Sequence, residues 1–402
     1  VRAGLALAPP LVLTLPARKI AAAVALAAGA AYLALSGVAV ATERAFVMVA
    51  VMLIAVLADR RAITLRAVAV AALILLIRRP ESLTEAGFQM SFAATVALVA
   101  AFGGIRSTRL WPARAGPARW AVALVLSSAV AGAATAPFAA ANFNRIAEYG
   151  LLANVLAMPA MGLVVMPAAV IAALAAPLGL AGAPLWVMGR GLEWILTVAD
   201  RVGGMQGAVI AVPAPPVWVP GVMALGLLMA VLWQGRARLV GPVLAGLAVL
   251  AWAGSERPAL LIADSGRLIG VMTGAGRALS RPEGESYTAT RWLRNDGDGA
   301  PQPAAAQRAG ITASTGWAEA RVAGQSFVAL SGRGWQERVA RACRAGWVIL
   351  PYRLERAGAP PGCRLIAAER LRDDGAIAVW DEASGARLVS ADARAGRRPW
   401  VK

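Results

Sequence analysis

Long uncharged apolar runs follow one another as far as residue 254, and beyond it the pattern changes to short strand-like runs set among charges. Apolar runs of roughly 20 residues read as membrane spans. After a partial run at 3–16, the spans are 20–42, 45–58, 67–77, 86–105, 120–142, 150–168, 169–189, 216–235 and 239–254. The short runs 45–58 and 67–77 read as crossings that thin the bilayer, or as broken elements buried in protein. Pro167 reads as a turn between two spans, and 191–202 as an amphipathic helix at the interface. The partial first run holds Pro9-Pro10 and lacks the pattern of a signal peptide, so the chain is expected to have lost an upstream part.

The remainder predicts a soluble α+β domain. LLIADSGRLIGVMT (260–273) places two apolar runs around Asp264-Ser265-Gly266, a hairpin signal, and FVALSG, GWVIL and GAIAVW add strands. Residues 334–345 have a helical pattern, and 299–310 reads as a Pro/Ala-rich loop. The expected architecture is a polytopic α-helical membrane domain over 1–254, followed by a soluble domain over 255–402.

Charge sharpens this division. Residues 1–254 carry 18 Lys/Arg and 7 Asp/Glu, whereas 255–402 carry 22 and 15. In the membrane half the basic residues count 2, 1, 3, 2, 4 and 1 in successive loops, at Arg18/Lys19, Arg44, Arg60/Arg61/Arg66, Arg78/Arg79, Arg106/Arg109/Arg114/Arg119 and Arg145. The alternation assigns the basic-rich loops to the cytoplasm and the last span's far end to the outside. The net charge of +18 makes an anionic partner plausible without identifying it. Histidine is absent, which excludes His-based acid/base chemistry and His-ligated metals. Cys343 and Cys363 form either a bridge in an oxidising compartment or two buried free thiols.

Three clusters break the apolar runs with polar groups. Gly87-Phe88-Gln89-Met90-Ser91-Phe92 opens a span with an amide and a hydroxyl, which suit a polar pathway or an interfacial helix start whose Gln89 snorkels. Thr135-Ala136-Pro137-Phe138, followed by Asn142-Phe143-Asn144, reads as a polar kink or as a packing helix ending at the interface. Asn154 and Pro159 break a third helix. Several such helices in succession suit a translocation path better than a passive anchor.

GFQMSFAATVAL, ATAPFAAANFNRIAEYGLLANVLAMPAMGLVVMP and the opening PARKIAAAVALAAGAAYLALSG…ERAFVM resemble, in that order, the competence domain of ComEC-type DNA-internalisation proteins. The resemblance implies an inner-membrane channel that carries single-stranded DNA into the cytoplasm during natural transformation. It further implies lipid around the chain, a periplasmic DNA-binding protein and a cytoplasmic motor as partners, and leaves a homo-oligomer open. IADSGRLIGV and RWLRNDGD (291–298) resemble the β-lactamase-like C-terminal domain of the same family in a diverged form. Members usually carry an extracellular module and further spans upstream, which this sequence does not include. Many also carry a His/Asp cluster proposed to hold metal for degrading one strand, and a chain without histidine cannot build it. A degenerate, non-catalytic domain with no cofactor is therefore expected. Asp264, Asp296 and Asp298 offer carboxylates for a hard cation, although Asp/Gly turns are their commoner use.

On this reading Gln89, Ser91, Thr135, Pro137, Asn142, Asn144 and Asn154 line the path. Phe88 and Phe143, with Phe92 and Phe138 beside them, stack on bases or anchor helix ends. Arg145 meets phosphate at the outer mouth or is neutralised by Glu148. The rival readings are a secondary transporter of a small anionic solute, which would show related halves, and a membrane-bound hydrolase, for which no G-x-S-x-G elbow is present.

Overall fold

The computed structural model describes residues 16–105, 116–353 and 361–396. The partial first run (all but Pro16) and Arg106, Arg109 and Arg114 lie outside the described residues. Two units separate, one built from residues 1–210 and 217–250, the other from Ala211–Pro216 and Ala251–Lys402. A short loop assigned by sequence to the membrane domain therefore belongs to the second unit.

The first unit is helical. Its elements are α1 (Ala17–Leu35), α2 (Val40–Leu57), α3 (Leu65–Arg78), a 3-10 turn (Pro80–Thr84), α4 (Ala86–Ile105) and α5 (Pro117–Phe143). After β1 (Arg145–Ala147) come α6 (Gly150–Ala160), a π-helical turn (Met161–Val165) and α7 (Met166–Ala175). Next are α8 (Gly182–Gly203), β2 (Val209–Ala211), α9 (Val219–Leu232) and α10 (Val240–Ala253). Among the described residues six helical segments are long and apolar enough to cross a membrane: 17–35, 40–57, 86–105, 117–143, 150–178 and 235–253. Leu35 is 87% exposed and Leu174 75%, an apolar surface that water would penalise and acyl chains would cover. This is a multi-pass membrane protein.

Three expectations change. The span expected over 20–42 stops at Leu35, because Gly37 and Val38 take positive φ (67° and 55°) and break the helix. Glu43 and Arg44, expected in a loop, lie inside α2 instead. Pro167 does not turn the chain, since helix runs from Gly150 to Leu178 through the π-helical turn. The π-helical turn Met161–Val165 lies between Pro159 and Pro167, and its shifted hydrogen-bond ladder accommodates two residues that lack an N–H. The returning element is the whole of α8, antiparallel to this stack. Trp194 Nε1 donates to the Leu156 carbonyl (3.1 Å) and Tyr149 Oη to the Gln206 carbonyl (3.3 Å). Gly191 makes the close approach possible, because a Cβ there would lie 2.7 Å from Val165. The 14-residue α3 buries Val68, Ala71 and Leu75 against Phe88 and Phe92 of α4, so this short run is covered by protein on one face.

The second unit is a two-sheet sandwich with helices outside. One sheet has the order β12-β11-β3-β4-β5, all antiparallel: β3 Leu260–Ile262, β4 Ile269–Thr273, β5 Gly276–Leu279, β11 Ile377–Glu382 and β12 Gly385–Ser390. The other has the order β10-β9-β8-β7-β6: β6 Ile311–Ser314, β7 Trp317–Val322, β8 Gln325–Leu330, β9 Gly346–Ile349 and β10 Arg364–Ile366. Period-two alternation builds both layers. Phe327 and Ala329 point to the core between the sheets, while Val328 and Leu330 point to the outer helix α13 (Trp335–Ala345). Likewise Leu260 and Ile262 face the inner core, and Ala263 faces Ala289, Trp292 and Leu293 of α11 (Ser286–Asn295).

The 260–273 hairpin forms as its pattern predicts, pairing Leu260 with Val271 and Ile262 with Ile269. Its Gly266 has φ 66°, and a Cβ there would sit 2.9 Å from Leu371, so only glycine fits. The 299–310 segment is not all loop: Gln302–Ala306 forms α12, begun by Pro301 and Pro303. The helices after β10, α14 (Ala368–Asp374) and α15 (Ala391–Ala395), complete the unit.

Candidate functional site: a polar end of the helical unit

The first and second polar clusters meet at the N-terminal turn of α4. The Asn142 side-chain amide, in the last turn of α5, donates to Gln89 Oε1 (3.0 Å) and to the Phe138 carbonyl (2.8 Å). Gln89 in turn donates through Nε2 to the Leu83 carbonyl (3.2 Å). These amides lie 53 residues apart in sequence; Gln89 is half-buried and Asn142 exposed. Pro137 sits inside α5 without ending it.

The other expected path residues divide. Ser91 is half-buried on α4, and Asn154 is exposed on α6. Thr135 gives its hydroxyl proton to Ala131 of its own helix (2.9 Å), so that donor serves α5 itself. Asn144 closes α5 as a left-handed C-cap (φ 57°), a position asparagine tolerates, and its Nδ2 is buried without a partner. Arg145 and Glu148 are both exposed and no ion pair joins them.

Base stacking by Phe88, Phe92 and Phe138 is corrected. Phe88 and Phe92 pack on one another (4.3 Å between ring centroids) and against α3, and Phe138 is equally buried. Their spacing of four puts both rings on the buried stripe of α4. Phe143, 49% exposed, is the aromatic left for an interfacial or base contact.

A charged group missed by the sequence reading sits at the same turn. Glu43, only 4% exposed, pairs with Arg78 (3.0 Å) and Arg79 (3.5 Å), and Arg44 pairs with Glu85 (3.5 Å). A Cβ on Gly87 would lie 2.3 Å from Arg44 Nη2, so the glycine of the GFQMSF run makes room for a guanidinium. Arg44 Nε is buried and unpartnered. The signal for this group was Glu43-Arg44 within an apolar stretch, a placement costly enough to require partners.

The Competence protein family model matches residues 1–237, more than half of the chain. The chain belongs to the competence protein family. No curated protein and no solved structure is similar to it. The competence match spans both polar clusters and the charged group, and ties the helical unit to a role in DNA uptake.

In the second unit the three candidate cation ligands are spread over different tasks. Asp296 binds Arg277, which is fully buried: Nε to Oδ2 at 2.5 Å and Nη2 to Oδ1 at 3.2 Å. Arg277 also donates to the carbonyls of Gly270 (2.9 Å) and Pro258 (3.2 Å). Asp298 pairs with Arg308; burial pushes its carboxyl up, but the Arg308 hydrogen bond and the Ala300 N–H outweigh this and hold it below the usual range. Asp264 accepts the N–H of Ser265 in the hairpin turn. Among the described residues no three His, Cys, Asp or Glu side chains gather as a metal site. The Asn295–Asp298 turn instead receives the chain segment Ala211–Pro216: Ala214 N donates to the Asn295 carbonyl (2.8 Å), and Gly297 (φ 73°) leaves room for Pro213.

Cys343 and Cys363 are bridged, with Cα atoms 5.1 Å apart, tying α13 to the turn that leads into β10. Replacing both by serine is expected to destabilise the second unit by about 3 kcal/mol, the loop-closure value for a 20-residue separation. Chemical denaturation followed by protease cleavage within 255–402 reads this. Maleimide labelling of both cysteines in unreduced protein would refute the bridge.

Proposed function

We propose that this competence protein forms part of an inner-membrane path that admits single-stranded DNA to the cytoplasm. The observation that carries the reading is the Gln89–Asn142 amide pair, which joins the two polar clusters at one end of the helices. Polar side chains in spanning segments suggest a polar path by default, and side-chain amides donate N–H to phosphate oxygens and pair with base edges. The basic-rich loops at Arg18/Lys19 and Arg60/Arg61/Arg66 favour the cytoplasm, which puts the amide pair at the outer mouth and the second unit in the periplasm. A disulfide suits that compartment.

The αββα layering agrees with a β-lactamase-like ancestry, and arginine-bound aspartates support a non-catalytic role. No nucleotide-binding G-x-x-x-x-G-K-[ST] run occurs in this sequence, so a cytoplasmic motor pulls the strand and a periplasmic DNA-binding protein delivers it. The alternative, a small-anion transporter, draws on Pro137, Pro159 and Asn154 within the helices, since such transporters also carry prolines and polar groups in their spans.

A strain lacking the gene, given labelled DNA and labelled small anions, separates the two. DNA bound at the surface but absent from the cytoplasm is the expected result. Normal DNA entry in that strain would sink the path, and loss of anion uptake alone would move the transporter forward.

A further inference from the structure

One edge of the second unit gathers arginines without counter-charges. A cleft of about 280 Å³ opens where the β3–β4 turn, the end of β5, the β6–β7 turn and the loops after β8 and β9 converge. Arg267, Arg281, Arg333 and Arg338 line it together with Ser331 and Tyr352, and none of its described lining residues is acidic. Other arginines of this unit are ion-paired, among them Arg277 with Asp296 and Arg308 with Asp298. Four arginines line the cleft with no acidic residue among its described lining, so its field favours an anion.

The cleft is built in advance. Arg338 donates to the carbonyls of Thr315 (2.9 Å), Ser331 (2.9 Å) and Arg333 (3.0 Å), and its Nε is buried without a partner. Gly316 (φ 74°) lies so close to this guanidinium that a Cβ would come within 2.3 Å of Nη1. Tyr352 Oη accepts the Gly332 N–H (3.0 Å), and its ring stacks on Trp335 at 5.3 Å. Trp335 is the first residue of α13, so the positive end of an 11-residue helix adjoins the same cleft.

We propose that this cleft is a receptor for a phosphate monoester, either the terminal phosphate of a DNA strand or a mononucleotide released from one. Four arginines suit a dianion better than the single charge of a phosphodiester, and forked guanidiniums match phosphate oxygens. The volume lies just below the usual range for small-molecule sites and takes a phosphate with its sugar rather than a length of strand. The nucleic-acid source rests on the DNA-import reading; the phosphate rests on the cleft alone.

The test uses the full chain in lipid nanodiscs, with thymidine monophosphate, thymidine, inorganic phosphate and oligothymidylates carrying or lacking a 5′-phosphate. Thymidine monophosphate is expected to bind saturably, thymidine not at all, and inorganic phosphate to compete. Arg267→Ser/Arg333→Ser removes two exposed side chains that make no ion pair among the described residues, and is expected to weaken binding about tenfold or more with an unchanged melting temperature. Should the double variant lose its fold, Arg281→Ser alone carries the test. Preference for the phosphorylated oligonucleotide supports the strand end as source; binding of the mononucleotide alone supports the released product. Equal binding of thymidine and its monophosphate, no binding of either, or affinity unchanged in the variants overturns the receptor. None of these readouts depends on transformation, so failure of the import reading leaves a distinct signature.

Discussion

Replacing Arg277 by methionine is expected to destabilise the second unit by about 3–5 kcal/mol, the cost of leaving one member of a buried ion pair uncompensated. Arg277 has no solvent exposure and the Asp296 side chain only 6%. Removing the guanidinium strands the carboxylate and also leaves the carbonyls of Gly270 and Pro258 without their donor. Those two carbonyls belong to β4 and to the segment before β3, so the defect lies in the sheet and not on a rim. Gly270 is part of the same device: a Cβ there would lie 2.9 Å from Arg277 Cδ, so the strand gives up a side chain to admit the arginine stem. Protease resistance of 255–402 against urea measures the loss. Arg277→Met/Asp296→Leu is expected to recover part of it, since an apolar pair strands no charge. A wild-type midpoint for Arg277→Met would refute the ion pair as a structural element.

The second large effect concerns DNA entry. Gln89→Leu/Asn142→Leu is expected to reduce DNA reaching the cytoplasm by about an order of magnitude or more, because a polar cargo meets leucine where it met amides. The folding cost should be small: hydrogen bonds between helices in membranes average about 0.6 kcal/mol. Membrane abundance and surface binding of DNA should therefore stay near wild type. The exchange Gln89→Asn/Asn142→Gln keeps two amides and should restore entry in part. Undiminished entry with Leu at both positions would make the pair a packing contact and remove it from the path.

Much of the architecture was legible in order of residues alone. Uniform apolar runs have one stable setting, so the membrane unit could be read from composition, and 86–105 coincides with α4 residue for residue. Short apolar runs likewise announced β3, β4, β8, β9 and β11, because strands covered on both faces read as near-continuous apolar stretches. The GFQMSF and Asn142 elements were legible as polar interruptions, since such groups are costly in an apolar run.

Other features waited for tertiary structure, for definite physical reasons. An aromatic spacing of four shows that Phe88 and Phe92 share a face but not what the face meets, and α3 meets it. Local pattern placed Glu43 and Arg44 in a loop because charge argues against a span; partners 35 to 41 residues away make burial tolerable. Pro167 read as a turn, yet the π turn before it shifts the hydrogen-bond ladder and carries the helix through. Two cysteines state only that a bridge can form; the fold brought their Cα atoms to 5.1 Å. The aspartates of RWLRNDGD looked equally fit for a cation or a turn until Arg277 and Arg308 claimed two of them. Membership in the membrane-borne competence family and the strand pattern of the second unit were thus determined by sequence, which encodes transfer energies residue by residue. The pairing of Gln89 with Asn142, of glutamate with arginine, and the gathering of four arginines in one cleft were decided by tertiary structure, because long-range proximity has no local signature.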